Sequence, residues 1–157
     1  MARRRRPWQR ERRDDAPRTA DERELLEEFA ARRRAFDEAL AASNILHGKH
    51  LCPCCGLPTL DARGDFETCV VCLWTDGIGE ADPRRVGPPN YVSLEQARID
   101  VAAHLRAFEA ARGAPLLGGG VDPLVRSIKR FTARFNRCEA RVDREDFAAN
   151  LAAILAS

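Results

Sequence analysis

The chain has 157 residues, of which 45% are apolar and 32% charged, with a formal net charge of +2. That is enough chain for one modest core or two small ones, and the mean charge favours no class of partner. No stretch is apolar for long enough to cross a membrane, which excludes a membrane-spanning role.

The first residues are the least balanced. Arg3 to Arg6, Arg10, Arg12 and Arg13 surround Trp8 and are diluted by Glu11, Asp14 and Asp15. With Pro7 and Pro17 this run has nothing to bury, so residues 1–18 are expected to form a disordered basic tail. Its functional reading is contact with nucleic-acid phosphates through the N-terminal arginines. The plainer reading, a solvated end of a chain with only two lysines, is preferred. No apolar signal stretch follows the start, so a cytoplasmic location is expected.

A helix is predicted over 19–44. Thr19 can cap it, with Glu22 three residues on as a capping box requires. Leu25, Phe29, Phe36 and Leu40 share one stripe with Leu26 beside it, and Arg32, Arg33 and Arg34 fall elsewhere. The linker Ile45 to Leu51 leads to the cysteines.

Cys52, Cys55, Cys69 and Cys72 are spaced C-x2-C-x13-C-x2-C. Two such pairs joined by a short polar hairpin suit a tetrahedral four-thiolate metal site, with zinc the expected ion. Iron is the alternative metal, since four thiolates suit it too. In the first pair, Pro53 fixes the turn and Gly56 can take a positive φ, so amides of the turn can face the Cys52 sulfur. The second pair has Leu73 where the first has glycine, which predicts a looser turn. Residues 58–61 and 65–68 read as two strands around Ala62-Arg63-Gly64. The result resembles a zinc ribbon. A redox dithiol would need a βαβ context that is lacking, and disulfides would need a secretory route. His47 and His50 stand close enough to be considered as ligands, but four cysteines already close the site.

The run Cys52-Pro53-Cys54-Cys55-Gly56, then Cys69-Val70-Val71-Cys72-Leu73-Trp74-Thr75-Asp76, resembles the bacterial cysteine-rich CPCC domain family. So does Pro89-Asn90-Tyr91-Val92-Ser93-Leu94-Glu95-Gln96-Ala97-Arg98. The resemblance spans roughly residues 50 to 108. It departs at Val70, Leu73 and Thr75, where the family often has a proline, an aromatic and an acid. It implies a zinc-ribbon-like domain and no activity.

Residues 77–89 read as a solvated loop. Asp76, Glu80 and Asp82 lack the oxygen spacing of a calcium loop. Trp74 is expected to pack beside the second knuckle. Ser93 opens a second helix, with Gln96 completing a capping box, Leu94, Ala97, Val101, Leu105 and Phe108 on its stripe, and Gly113 and Pro115 at its end. His104 reads as a structural histidine. Leu116 to Gly120 reads as a flexible joint. Asp122 is expected to cap a third helix with Leu124, Ile128, Phe131 and Phe135 on one face, and Asp143 a fourth with Phe147, Leu151, Ile154 and Leu155. The Asn136 to Val142 connection is long for a helix-turn-helix, so these helices are expected to pack on each other or on the earlier pair. Cys138 reads as an ordinary thiol.

The expected architecture is therefore mainly α with a small β zinc ribbon: helix, zinc ribbon hairpin, then three helices. Its segments are a tail 1–18, a helix 19–44, a zinc-ribbon-like unit with its helix 45–112, a glycine-rich linker 113–121 and a helical pair 122–157. The expected role is binding or regulation through a protein or nucleic-acid partner. An inhibitor or immunity-type factor, an enzyme, and an iron–thiolate redox protein are the alternatives.

Overall fold

A computed structural model of the chain describes residues 12–43, 47–77, 80–143 and 145–157. Arg3 to Arg6, Trp8 and Arg10 lie outside these residues. The described elements are β1 (Arg12–Arg13), α1 (Ala20–Ala42), β2 (His50–Leu51), β3 (Pro58–Leu60), β4 (Glu67–Thr68), β5 (Thr75–Asp76), β6 (Arg85–Val86), α2 (Leu94–Arg112), α3 (Val121–Asn136) and α4 (Phe147–Leu155). The fold is mainly α with small antiparallel strand pairs, as expected. No helix of the described residues is long and apolar enough to cross a membrane.

Helix α1 starts as its sequence dictates. The Thr19 hydroxyl accepts from the Glu22 amide, and the Glu22 carboxylate accepts from the Thr19 amide, so two otherwise orphaned donors are satisfied. Leu25, Phe29 and Phe36 are its buried residues. Helix α2 has only the first half of that box. Ser93 accepts from the Gln96 amide, but the Gln96 side chain turns to Arg18 and Asp100 instead. Gly113, at φ 72°, ends α2 in the left-handed region.

The two C-terminal caps differ from expectation. Helix α3 begins at Val121 after Gly120, which offers no side-chain cap. Asp122 is drawn away by Ser43 Oγ at 2.8 Å and His47 Nε2 at 2.7 Å. Helix α4 is capped by Asp146, which accepts from the Ala149 amide at 2.9 Å. Asp143 instead accepts from the amides of Glu145 and Asp146 and so shapes the turn before that cap.

One core joins ribbon and helices. Leu51, Leu57, Leu60 and Val71 pack in the same cluster as Leu105 of α2, Ile128 and Phe131 of α3, and Leu151 and Ile154 of α4. Leu116 and Val121 are buried in it too, and the Gly118 amide donates to the Pro115 carbonyl at 3.1 Å. The expected joint is thus a hydrogen-bonded turn anchored by apolar residues on both sides. A smaller cluster of Leu25, Ile99 and Ala102 seals α1 against α2.

The expectation of disorder up to residue 18 is corrected from Arg12 onward. Arg12 and Arg13 pair with Val86 and Arg85. The nearly buried Arg18 guanidinium bonds Asp14, and also Glu95 and Gln96 at 2.8 Å each. Ser93 Oγ donates to Asp14 at 2.6 Å. Composition missed this because the partners of these charges lie some seventy or more residues away.

Candidate metal centre

The ribbon strands do not pair as expected. β3 does not pair with β4 across Ala62-Arg63-Gly64. It pairs with β2, and β4 pairs with β5. Each C-x2-C pair therefore sits at the tip of its own hairpin, and the two tips face each other.

The tips share one backbone design. The Cys52 amide donates to the Leu57 carbonyl, and the Cys69 amide to the Trp74 carbonyl. The Gly56 amide donates to the Cys52 carbonyl at 2.9 Å, and the Leu73 amide to the Cys69 carbonyl at 2.9 Å. Gly56 has φ 76° and Leu73 φ 62°. The second turn is thus as tight as the first. It places a leucine in the left-handed region, where a side chain costs about 1–2 kcal/mol. Glycine at position 56 has a second use, since α1 passes close by: a Cβ there would stand 3.5 Å from the Phe29 ring.

These turns bring four sulfurs together. All four Sγ atoms of Cys52, Cys55, Cys69 and Cys72 lie within 4.8 Å of one another. Cys52 and Cys72 are 3.6 Å apart, and Cys55 and Cys69 3.8 Å. Four thiolates arranged tetrahedrally at about 2.3 Å from a common centre stand about 3.8 Å from each other. A disulfide would need about 2.05 Å, and all six cysteines are free. The donor set and its spacing fit a metal ion.

Three of these four cysteines are fully enclosed, while Cys72 is half-buried. Burial pushes the Cys52 thiol up and those of Cys55 and Cys72 well up. Burial acts on Cys69 in the same direction. There it is outweighed by hydrogen bonds from Cys52, Cys55, Cys72 and Thr59, which hold the Cys69 thiol well below its ordinary value. The Thr59 hydroxyl lies 3.0 Å from Cys69 Sγ, and the Val71 amide donates to the same sulfur at 3.4 Å. The amide-to-sulfur contact expected at Cys52 is thus found on Cys69. Thiolates are the metal ligands, so an arriving cation displaces the thiol protons.

Neither histidine joins the site. His47 is buried against Asp122 and Ser43, and pins the chain after α1 to the start of α3. His50 is exposed in β2. Cys54, between two ligand positions, is buried and falls outside the four-sulfur group. It shares a shallow groove with Trp74, Val92 and Val101, so Trp74 does lie beside the knuckles.

The acids expected to be solvated are engaged by arginines. Asp76 is buried and accepts from Arg63 Nε and the Gly64 amide, both at 2.8 Å, which closes the 61–65 loop. Glu80 bonds Arg33 and Arg63 and lies 3.4 Å from Arg98. Asp82 accepts from Arg13 at 2.7 Å. Arg98 joins several parts of this region: its Nε donates to the Pro53 carbonyl at 2.7 Å, and its guanidinium lies 4.4 Å from the centre of the Phe29 ring. Periodicity places Arg98 only off the apolar stripe of α2, so its role was not legible. His104 lies with Nδ1 2.6 Å from the Asp100 carbonyl oxygen and its ring against Phe147, as a structural histidine would.

Residues 50–110 match the family model described as Cysteine-rich CPCC. Comparison with curated proteins and with solved structures found no match.

Proposed function

We propose that residues 50–110, which match the Cysteine-rich CPCC family model, form a zinc-binding module whose ion is structural, within a protein that works by binding a partner. The observation that carries this is the set of four sulfurs within 4.8 Å of one another, three of them enclosed in the core that the helices share. Cys52, Cys55, Cys69 and Cys72 would hold the ion and leave no open position for substrate or water. Zinc bound there supplies folding free energy and no reaction step. The two hairpins are two or three residues per strand, too short to hold themselves together, so the ion would do it.

Binding is favoured over catalysis by what surrounds the site. Asp76 and Glu80 are engaged by arginines, and His104 by a backbone carbonyl. The groups a catalyst would use are those that hold the loops in place. The partner is proposed to be a nucleic acid or a protein, with phosphate contact by N-terminal arginines as the nucleic-acid reading.

Stripping the ion tests the structural role. Dialysis against a strong chelator should abolish the cooperative thermal transition of the ribbon and its core, and added zinc should restore it. A metal-free chain that melts at the same temperature as the loaded one would remove this reading.

A further inference from the structure

Helix α3 is divided cleanly into two faces. Val121, Leu124, Val125, Ser127, Ile128 and Phe131 are buried on one. On the other, Arg126, Lys129, Arg130, Arg134 and Arg137 are exposed. At 100° per residue these five cations fall within one arc directly opposite the buried side. From Arg126 to Arg137 they span about 16 Å of helix.

Three of the charges on that face make no direct ion pair, with Asp122 and Glu139 the acids that Arg126 and Arg134 act on. Arg126, Lys129 and Arg134 have no ion-pair partner among the described residues, whereas Arg18, Arg33, Arg63, Arg84, Arg98 and Arg106 all do. Arg130 donates to the Ser157 main-chain oxygen at 2.7 Å, and Arg137 is paired with Glu139. The one acid of α3, Asp122, is turned to His47 and Ser43. Meanwhile α1 carries exposed Asp21, Glu24, Glu27, Asp37 and Glu38. The small net charge therefore hides a polar molecule with one strongly cationic helix face.

We propose that this face of α3 is a contact surface for the phosphate backbone of a nucleic-acid duplex. Arginine suits phosphate because its planar fork donates two parallel hydrogen bonds, and four of the five cations are arginines. A rigid row of such groups on a helix meets a regular row of phosphates with little loss of freedom, unlike a disordered run. Because the row is mainly cationic, the contact is to the phosphate backbone and carries little base preference. This inference rests on the reading of the chain as a binding module and is independent of which metal it holds.

The test is titration of the full chain with a fluorescent 20-base-pair DNA duplex over a series of salt concentrations. It is repeated for the triple variant Arg126→Gln, Lys129→Gln, Arg134→Gln and for a chain lacking residues 2–11. Removing three phosphate contacts should lower the slope of log affinity against log salt by about 2.7. The triple variant should bind at least tenfold more weakly at low salt, whatever the tail contributes. The three side chains are exposed and unpaired, so zinc content and melting temperature should be unchanged, which separates failure here from failure of the zinc reading. The inference is overturned if the full chain does not bind duplex, if the variant keeps the parent's affinity and slope, or if all binding disappears with residues 2–11. It is also overturned if vesicles of anionic phospholipid, but not duplex, are bound through these residues.

Discussion

Arg98 Nε donates to the carbonyl oxygen of Pro53 at 2.7 Å, so the middle of α2 holds the first knuckle by its backbone. The same guanidinium covers the Phe29 ring of α1 and reaches Glu80. Lysine can reach the carbonyl but cannot also present a flat face to the ring. Arg98→Met leaves a buried carbonyl unpaired and should cost about 1.5–3 kcal/mol. Arg98→Lys should recover only part of that. Chemical denaturation of the zinc-loaded proteins measures both, and an unchanged midpoint for Arg98→Met would show that the knuckle does not depend on α2.

Cys54 separates bystander from ligand. It is buried beside the site but outside the group of four sulfurs. Cys54→Ser should keep one metal ion per chain and lose on the order of 1 kcal/mol from burying a hydroxyl in place of a thiol. Cys55→Ser should lose the ion and unfold the ribbon. Native mass spectrometry of the two variants is decisive, and loss of metal from Cys54→Ser would show that the knuckle is read in the wrong register.

The Glu80 cluster gives the acid side of the stability profile. Burial acts to raise the Glu80 carboxyl, and the bonds from Arg63 and Arg33 outweigh it and hold the carboxyl below its ordinary value. A carboxylate with a lowered value stabilises the fold fully above its unfolded value of about 4.3. That contribution fades as pH falls through the folded value. Glu80→Gln should thus lower the melting temperature at pH 7, and the difference from the parent should shrink once pH falls below about 4. A gap that stays constant down to pH 3 would exclude an ionic role.

Two truncations test the bonding of Arg18. Deleting residues 2–11 should leave stability unchanged. Deleting 2–18 also removes β1 and Arg18, which is bonded to Glu95 and Gln96. It leaves Glu95 with one arginine instead of two and should cost on the order of 3 kcal/mol. Equal melting temperatures for the two truncations would contradict the bonding of Arg18.

How much of this was legible follows from the range of each interaction. The α1 capping box and the Gly113 stop depend on residues a few places apart, and spacing alone identified them; spacing also picked out the four cysteines whose sulfurs come together. Strand pairing was misread because the 58–61 and 65–68 runs look like neighbours across a glycine turn. In the folded chain each knuckle makes its own hairpin, which satisfies the Cys52 and Cys69 amides at the turn. Leu73 shows the limit of reading turns from glycine: hydrogen bonding to Cys69 holds a leucine at positive φ. Asp122 offered a good local cap, but His47 and Ser43, at least 75 residues away in sequence, took its carboxylate. Likewise Asp76 and Glu80 read as solvated because Arg33, Arg63 and Arg98 come from three separate segments.

The most direct measurement of the central claim is metal content. Protein purified from cells supplied with iron as well as zinc should be analysed by elemental mass spectrometry, with an absorption spectrum of the same sample. The account predicts one zinc per chain, no visible thiolate-to-iron charge-transfer band, and loss of that zinc in Cys55→Ser. Stoichiometric iron, or a chain that folds with no metal at all, would contradict it.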